Sequence, residues 1–165
     1  LVFGDLDTNV NLAGSKHNKG QDTGHGWDKI DTKNIENITS GSGHDVLKGN
    51  SLNNVLDGGR GHDVLEGMNG KDTLIGGLGN DTLNGGGGSD IFQFSSTDGQ
   101  DTIEDFNVSQ GDKIRLMKSE NESSDISYTS NGNNTIINWE NVSITVNNVQ
   151  DQDQIAQQIE WMAMS

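Results

Sequence analysis

The sequence lacks several features that would otherwise direct an interpretation of its function. None of its 165 residues is cysteine or proline. Without cysteine there is no disulfide framework and no indication of the redox compartment, so a secreted protein that needs no disulfides remains open. Without proline, self-cleavage at an Asp-Pro bond is excluded. No continuous apolar run approaches the ~18 residues of a membrane-spanning helix, so we expect no membrane span.

Basic and apolar residues are both scarce. The chain has 10 Lys and Arg against 25 Asp and Glu, which gives a formal net charge of −15. Nucleic-acid binding needs a basic patch, so nucleic acid is not an expected partner. Direct capture of an acidic polysaccharide is also disfavoured, unless a bound cation bridges the two. Because only 29% of the residues are hydrophobic, we expect the free chain to have a weak core and strong self-repulsion, which cation binding would offset.

Catalytic motifs are missing too. The sequence contains no His-Glu-x-x-His zinc-protease helix, no Gly-x-Ser-x-Gly nucleophile turn and no Gly-x-Gly-x-x-Gly dinucleotide loop. We therefore expect that the chain is not an enzyme by itself. It begins at Leu1 without a basic-then-apolar signal segment, so we expect a fragment of a longer polypeptide, with any catalytic domain upstream.

A nine-residue repeat organises residues 40–93. Its units read SGSGHDVLK, GNSLNNVLD, GGRGHDVLE, GMNGKDTLI, GGLGNDTLN and GGGGSDIFQ. The fourth residue is Gly and the sixth is Asp in every unit except the second, which has Leu52 and Asn54 there. The Asp-x-Leu half predicts a short strand that buries its Leu, and the Gly-rich half predicts a tight turn. Two units would form one coil of a parallel solenoid, and stacked coils would bury a ladder of leucines.

Units 18 residues apart stack on the same side of such a solenoid. The sixth residues then form two rows, with Asp45, Asp63 and Asp81 in the first and Asn54, Asp72 and Asp90 in the second. Stacked carboxylates repel each other unless a cation lies between them. Carboxylates and uncovered turn carbonyls are hard oxygen ligands, which suit calcium rather than zinc or copper. His44 and His62 fall at the fifth position without a third ligand, so we expect neighbouring solvated turn residues rather than a transition-metal site.

These units resemble the RTX (repeats-in-toxin) nonapeptide Gly-Gly-x-Gly-x-Asp-x-U-x, where U is a large apolar residue. The resemblance implies an all-β parallel β-roll, a right-handed β-solenoid filled with about five calcium ions. It also implies that each ion takes the second and fourth carbonyls and the Asp of one turn. From the turn two units on, the ion takes the first and third carbonyls and the Asp.

The implied ligand sets follow from that rule. The first is Gly41, Gly43, Asp45, Gly58, Arg60 and Asp63, and the second is Gly59, Gly61, Asp63, Gly76, Leu78 and Asp81. On the other side of the roll, the set is Met68, Gly70, Asp72, Gly85, Gly87 and Asp90. The first row extends to Gly77 and Gly79 with Asp101 above Asp81, and to Asp28 below Asp45. Leu52 and Asn54 depart from the pattern, so we expect the sites beside Asn54 to be weak or empty.

The chain divides into three expected parts. Residues 1–39 would be degenerate N-terminal coils, residues 40–106 the RTX roll, and residues 107–165 a cap made of a β-hairpin and a helix. In the cap, Asn131-Gly132 predicts the hairpin turn. Ile155, Ile159 and Met162 have helical spacing, with Asp151 and Asp153 as candidate N-caps.

The expected function is calcium-dependent folding and export of a larger secreted bacterial protein. The resemblance implies a type I secretion apparatus as a partner during export, an extracellular location, and an export signal within residues 107–165. The alternative is a calcium-dependent module that binds polysaccharide or a cell surface. Glycan binding would separate the two.

Overall fold

The computed structural model describes residues 36–120 and 122–164, together with the backbone of residues 9–11, 21–22 and 27–28. In this part of the chain, short strands alternate between two sheets, as in a solenoid that adds one strand to each sheet per coil. The strands are β1 (Asn9–Asn11), β2 (Gln21–Asp22), β3 (Trp27–Asp28), β4 (Asn37–Thr39), β5 (Val46–Lys48), β6 (Val55–Asp57), β7 (Arg60–Gly61), β8 (Val64–Glu66), β9 (Asn69–Gly70), β10 (Thr73–Ile75), β11 (Leu78–Gly79), β12 (Thr82–Asn84), β13 (Gly87–Gly88), β14 (Ile91–Ser95), β15 (Gln100–Ile103), β16 (Lys113–Lys118), β17 (Ser127–Asn131), β18 (Asn134–Trp139), β19 (Val142–Val146) and β20 (Ile159–Ala163). Helix α1 covers Gln152–Ala156.

Two main sheets stack the coils. Sheet 1 has the strand order β1-β5-β8-β12-β15-β19-β18-β17, and sheet 2 has the order β20-β16-β14-β10-β6-β4. Sheet 2 is parallel throughout, whereas sheet 1 is parallel from β1 to β19 and ends in antiparallel strands. The register joins Leu47 to Leu65 and Leu65 to Leu83, so each coil contains two nonapeptide units. The predicted all-β parallel roll is confirmed.

One residue per repeat strand builds the core. In β5, Val46 is exposed and Leu47 is buried, because successive side chains of a strand point to opposite faces. The equivalent residues along the roll are all buried: Ile38, Leu47, Leu56, Leu65, Leu74, Leu83, Phe92, Ile103 and Ile114. Burying one leucine contributes about 2 kcal/mol. That is too little to hold one coil by itself, so stability depends on stacking.

Both sheets continue beyond residue 106, where the sequence placed the end of the roll. β14 pairs in parallel with β16, and β15 pairs in parallel with β19. β14 and β16 are longer than the repeat strands and add Phe94 and Leu116 to the core as a second column. The cap therefore shares both sheets with the roll, since each open sheet edge needs a hydrogen-bonding partner.

The expected hairpin closes sheet 1. β17 pairs antiparallel with β18, and β18 pairs antiparallel with β19. Asn131 pairs with Asn134, so the turn is Gly132-Asn133, one residue later than expected. Gly132 has a φ of 64°, a conformation that costs glycine little.

The expected C-terminal helix is present only over Gln152–Ala156, and its continuation to Met162 is wrong. α1 begins after Asp151, whose side chain caps the N-terminus, and it buries Ile155. The following residues form β20, which pairs in parallel with β16. Ile159 and Met162 fit a helical period, but Ile159, Trp161 and Ala163 also alternate, and the open edge of sheet 2 decides in favour of the strand. Within the described residues, no helix has the length and apolar character to cross a membrane.

The N-terminal end of the roll corrects one expectation. β1 and β4 add one strand to each sheet, and Val10 pairs with Leu47. β3, which contains Asp28, instead pairs antiparallel with β2 in a separate two-stranded sheet. The expected stacking of Asp28 below Asp45 is therefore wrong, because β1 occupies the position beside β5. The side chain of Asp28 lies outside the described residues.

Candidate calcium sites

The first row of carboxylates forms as the 18-residue spacing predicts. The backbone N–H of Asp45 donates to Oδ1 of Asp63 at 2.8 Å, and the N–H of Asp63 donates to Oδ1 of Asp81 at 2.8 Å. The N–H of Asp81 donates to Oδ1 of Asp101 at 2.9 Å, which confirms that Asp101 stacks on Asp81. One carboxylate oxygen each of Asp63, Asp81 and Asp101 thus joins neighbouring coils.

The second row contains a member that the repeat spacing does not reveal. The N–H of Asn54 donates to Oδ1 of Asp72 at 2.7 Å, and that of Asp72 donates to Oδ1 of Asp90 at 2.9 Å. The N–H of Asp90 then donates to Oδ1 of Asp112 at 3.0 Å. Asp112 lies 22 residues after Asp90, so an 18-residue period does not reach it. The available signal was Asp112-x-Ile114, which repeats the Asp-x-Leu pattern.

The second oxygen of most of these carboxylates is buried without a hydrogen bond. Within the described residues this holds for Oδ2 of Asp63, Asp72, Asp81, Asp90 and Asp101. Each of these side chains is at most 2% exposed. The described ion pairs, Lys48–Glu66 and Arg115–Glu160, engage other carboxylates. A buried carboxylate that stays ionised without a partner destabilises the fold by several kcal/mol. A cation bound beside these oxygens would offset that cost.

Burial also raises the pKa of these carboxyl groups. Desolvation raises the pKa of Asp63, Asp72 and Asp101 to about 7, and that of Asp81 and Asp112 to about 6. For Asp63, the neighbouring carboxylates of the row raise the pKa further. Without a cation, these five carboxyl groups would therefore take up protons between about pH 6 and 7, well above the usual range of an aspartate.

The turns leave space in which carboxylate and carbonyl oxygens converge. A Cβ atom on Gly58 would lie 2.5 Å from Oδ2 of Asp63 and 2.7 Å from the carbonyl oxygen of Gly76. Gly67, in the other row of turns, shows the same arrangement. Only glycine leaves this space open, and several hard oxygens around one position are the donor set that calcium takes. The residues present therefore fit calcium.

The predicted carbonyl ligands lie on the turns beside the rows. β7 pairs in parallel with β11, and β9 with β13. The carbonyls of Gly41, Gly59 and Met68 each accept one N–H from the next coil, at 2.9, 2.8 and 2.7 Å, which leaves each a second lone pair. The residues on these turns are Gly41, Gly43, Gly58, Gly59, Arg60, Gly61, Met68, Gly70, Gly76, Gly77, Leu78, Gly79, Gly85 and Gly87. Their direct contact with an ion stays a prediction.

Backbone conformation explains which turn positions need glycine. Gly61 has a φ of 140°, and a Cβ there would overlap the carbonyl of Gly43. Met68 occupies the second position of its unit with a φ of 84°, close to the 88° of Gly59 and the 94° of Gly77. A non-glycine residue in this region is strained by about 1–3 kcal/mol. Met68 is thus a weak point of an otherwise regular turn.

The second unit closes its turn with amide side chains. The N–H of Asn50 donates to Oδ1 of Asn54 at 2.8 Å, and the N–H of Leu52 donates to Oδ1 of Asn50 at 2.7 Å. Neither Asn50 nor Leu52 has a positive φ, so this turn differs from the glycine turns. Glu36 precedes β4 and lies beside Asn54, but its side chain is exposed. A weak or empty site beside Asn54 stays our prediction.

The fifth residues of the units also form hydrogen bonds between coils, which the sequence did not reveal. The rings of His44 and His62 stack with centroids 4.9 Å apart, so their expected proximity is confirmed. Nδ1 of His44 accepts the N–H of His62 at 2.8 Å, and Nδ1 of His62 accepts the N–H of Asn80 at 2.9 Å. Among the described residues, no group of three or more His, Cys, Asp or Glu side chains is placed to hold a metal. The histidines therefore join coils, and a calcium site must combine carboxylates with backbone carbonyls.

The repeats match a known family model. The model of the RTX calcium-binding nonapeptide repeat matches residues 39–74, 57–92 and 66–103. Residues 39–103 are RTX calcium-binding repeats. The matched residues include both carboxylate rows up to Asp101, whereas Asp112 and the cap lie outside the RTX match. The repeat module belongs to a calcium-binding family, and its buried aspartates agree with that ligand.

The RTX roll is also similar to solved structures. The AlgE6R3 subunit of the mannuronan C5-epimerase from Azotobacter vinelandii matches 71% of this chain and 77% of that chain, with 28% identity and a TM-score of 0.53. The extracellular lipase LipA from Serratia marcescens matches 96% of this chain, with 13% identity and a TM-score of 0.45. This chain spans only 38% of the lipase. No curated protein sequence matches the chain significantly.

Proposed function

We propose that this chain is a calcium-dependent folding module of a larger secreted protein, and that it folds when calcium fills the two rows outside the cell. The buried carboxylate oxygens that accept no hydrogen bond within the described structure carry this proposal. Their number and regular spacing imply a repeated ligand rather than one isolated site. The RTX match supports calcium as that ligand.

Neighbouring carboxylates indicate where ions would lie. In the first row the pairs are Asp45–Asp63, Asp63–Asp81 and Asp81–Asp101, and in the second they are Asp72–Asp90 and Asp90–Asp112. Calcium would supply the positive charge between the members of each pair. The protein holds the carboxylates in register through their Oδ1 atoms and presents turn carbonyls beside them. Asp112 adds one pair to the second row, whereas the first row lacks the expected pair of Asp28 with Asp45.

The energy available from calcium is large enough to control folding. If calcium is present at ten times the dissociation constant, mass action adds about 1.4 kcal/mol per site. Filling all the pairs would add roughly 7 kcal/mol, comparable with the ~5–15 kcal/mol net stability of a typical domain. In a calcium-poor cytosol the acidic chain would remain unfolded and competent to pass through a type I secretion apparatus. Any catalytic activity would belong to the rest of the larger protein.

Circular dichroism of the purified chain tests the calcium switch. We expect disorder in chelator, cooperative folding in millimolar calcium, and no folding in magnesium, because magnesium demands octahedral geometry and gives up its water reluctantly. A spectrum that is the same in chelator and in calcium would refute the switch. Export is tested by co-expression with a type I secretion apparatus. Retention of the chain in the cell would refute the export role and leave the calcium switch standing.

A further inference from the structure

A cleft in the cap lies outside the RTX match and beside the end of the second carboxylate row, where the N–H of Asn107 donates to Oδ2 of Asp112 at 2.8 Å. It has a volume of about 620 Å³ and separates the loop after Phe106 from the end of the hairpin and α1. This volume falls within the ~300–1,000 Å³ range of small-molecule sites. No step of calcium-dependent folding uses the cleft, so what it binds is a question beyond the proposed function.

The floor of the cleft is apolar and fixed to the core. Phe106 is 6% exposed, and its ring contacts that of Phe92 with centroids 6.1 Å apart. Val108 and Val149, which also line the cleft, are partly buried against the same core. These side chains offer a ligand an apolar surface that already has its final shape.

Amide side chains form one part of the rim, and hydrogen bonds hold them in place. Nε2 of Gln150 donates to Oδ1 of Asn133 at 2.9 Å and to the carbonyl of Gly132 at 3.3 Å. Oδ1 of Asn107 accepts the N–H of Ser109 at 3.0 Å and its hydroxyl at 2.6 Å. In the described structure these bonds leave Oε1 of Gln150 as an acceptor, and Nδ2 of Asn133 and of Asn107 as donors. The rim thus presents both kinds of group in fixed positions.

Two further amides and one carboxylate complete the rim. Asn148 has a φ of 58°, and its N–H donates to Oδ1 of Asn134 at 3.0 Å. Gln154 is exposed on α1. Asp151 is the charged residue of the lining, and its Oδ1 caps α1. The lining contains neither Lys nor Arg, so nothing in the cleft attracts an anion.

We propose that this cleft binds a neutral saccharide. A sugar ring presents apolar C–H faces, which suit the floor formed by Phe106, Val108 and Val149. Sugar hydroxyls both donate and accept hydrogen bonds, and the amide rim supplies both partners. An anionic polysaccharide would meet Asp151 and the net charge of −15, which disfavour it.

The test uses the calcium-loaded full chain, labelled with ¹⁵N, and follows its side-chain amide signals by NMR. The probes are maltohexaose, cellohexaose and laminarihexaose, with oligomannuronate as the anionic comparison. We expect at least one neutral hexasaccharide to give saturable shifts centred on Asn107, Asn148, Gln150 and Gln154. Oligomannuronate should shift none of them.

Two variants probe the rim without disturbing the fold. Gln154→Ala removes an exposed amide from α1, and Asn148→Gly removes an amide where the positive φ favours glycine. Each should weaken binding by about 3- to 10-fold, the loss expected for one hydrogen bond. Gln157→Ala, at the C-cap of the same helix and outside the cleft lining, is the matched control and should bind as the parent does. The calcium midpoint should be the same for all these proteins.

Three results would overturn the proposal. One is that none of the neutral hexasaccharides shifts the rim amides. Another is that oligomannuronate binds the rim more tightly than the neutral probes. The third is that both rim variants bind with the parent's affinity. A chain that folds without calcium but binds a neutral hexasaccharide at the rim would refute the proposed function and support this site.

Discussion

Replacing Asp63 by Asn should change the stability of the roll in opposite directions with and without calcium. Asp63 lies inside the first row: its Oδ1 accepts the N–H of Asp45, and its own N–H donates to Asp81, both at 2.8 Å. Asparagine keeps the Oδ1 acceptor and puts an amide NH₂ where the buried Oδ2 lies. The stacking bonds therefore survive, and two neighbouring carboxylate pairs each lose a charge.

The magnitudes follow from burial and from mass action. Desolvation first, and then the neighbouring carboxylates, raise the pKa of Asp63 from 3.8 to about 7. Holding this group ionised at pH 8 costs on the order of 4 kcal/mol without calcium, at ~1.36 kcal/mol per unit. Asparagine removes that cost and should stabilise the calcium-free fold. With calcium at ten times the dissociation constant, weakening two sites should remove up to about 3 kcal/mol.

Two titrations at pH 8 measure the two effects. Urea unfolding with calcium at ten times the dissociation constant of the parent reports the loss, and folding by trimethylamine N-oxide in chelator reports the gain. Asp125→Asn is the matched control, because it makes the same charge change at an exposed residue outside the rows. Asp90→Asn should behave like Asp63→Asn, since Asp112 gives Asp90 two carboxylate neighbours as well. If Asp63→Asn lowered stability equally in calcium and in chelator, the side chain would have a structural role and the calcium assignment would be wrong.

Three further predictions address pH, strain and the cap. In chelator, lowering the pH from 8 to 5 should increase the folded fraction seen by circular dichroism; a decrease on acidification would contradict this. The reason is that groups with raised folded pKa values, such as Asp72 and Asp101 at about 7, stabilise the fold fully below their unfolded pKa and lose that contribution as the pH rises through about 7. Met68→Gly should stabilise the calcium-loaded roll by about 1 kcal/mol in urea denaturation, because it removes the backbone strain of a non-glycine residue with a φ of 84°. A loss of stability would show that the contacts of the Met68 side chain stabilise the roll by more than this strain destabilises it. Removing residues 159–165 should lower Tm by several degrees and cause aggregation seen by light scattering. The reason is that it deletes β20 and the contact between Trp139 and Trp161, whose rings lie 5.4 Å apart. An unchanged Tm would show that β20 does not cap the roll.

Within the repeats, sequence spacing located the site residues well. The row from Asp45 to Asp101 and the pairing of Asp72 with Asp90 follow from a constant coil length, since residues one coil apart must lie side by side. From the sequence alone, the second row ends at Asp90, so Asp90 would have one carboxylate neighbour and Asp63 would have two. Replacing Asp63 would then reduce calcium-dependent stability more than replacing Asp90. The structure removes that difference by adding Asp112.

Outside the repeats, spacing predicted less. Asp28 was expected below Asp45, yet β1 takes that place in sheet 1. The step from Asp90 to Asp112 contains a longer strand and a loop, so its length does not reveal which residues align. The cleft in the cap joins residues 106–109 to Asn133 and to residues 148–154, and no local pattern indicates it.

The sequence by itself determined the parallel roll, its buried leucine ladder and most of the two carboxylate rows. Each of these depends on interactions that recur within nine residues or between coils of constant length: strand alternation, glycine turns and register. Only the tertiary structure decided that Asp112 extends the second row, that Ile159–Ala163 is a strand, and that Asp28 lies outside the rows. In those places the local pattern fits more than one structure. The choice depends on which sheet edge remains open and which backbone groups still need a partner.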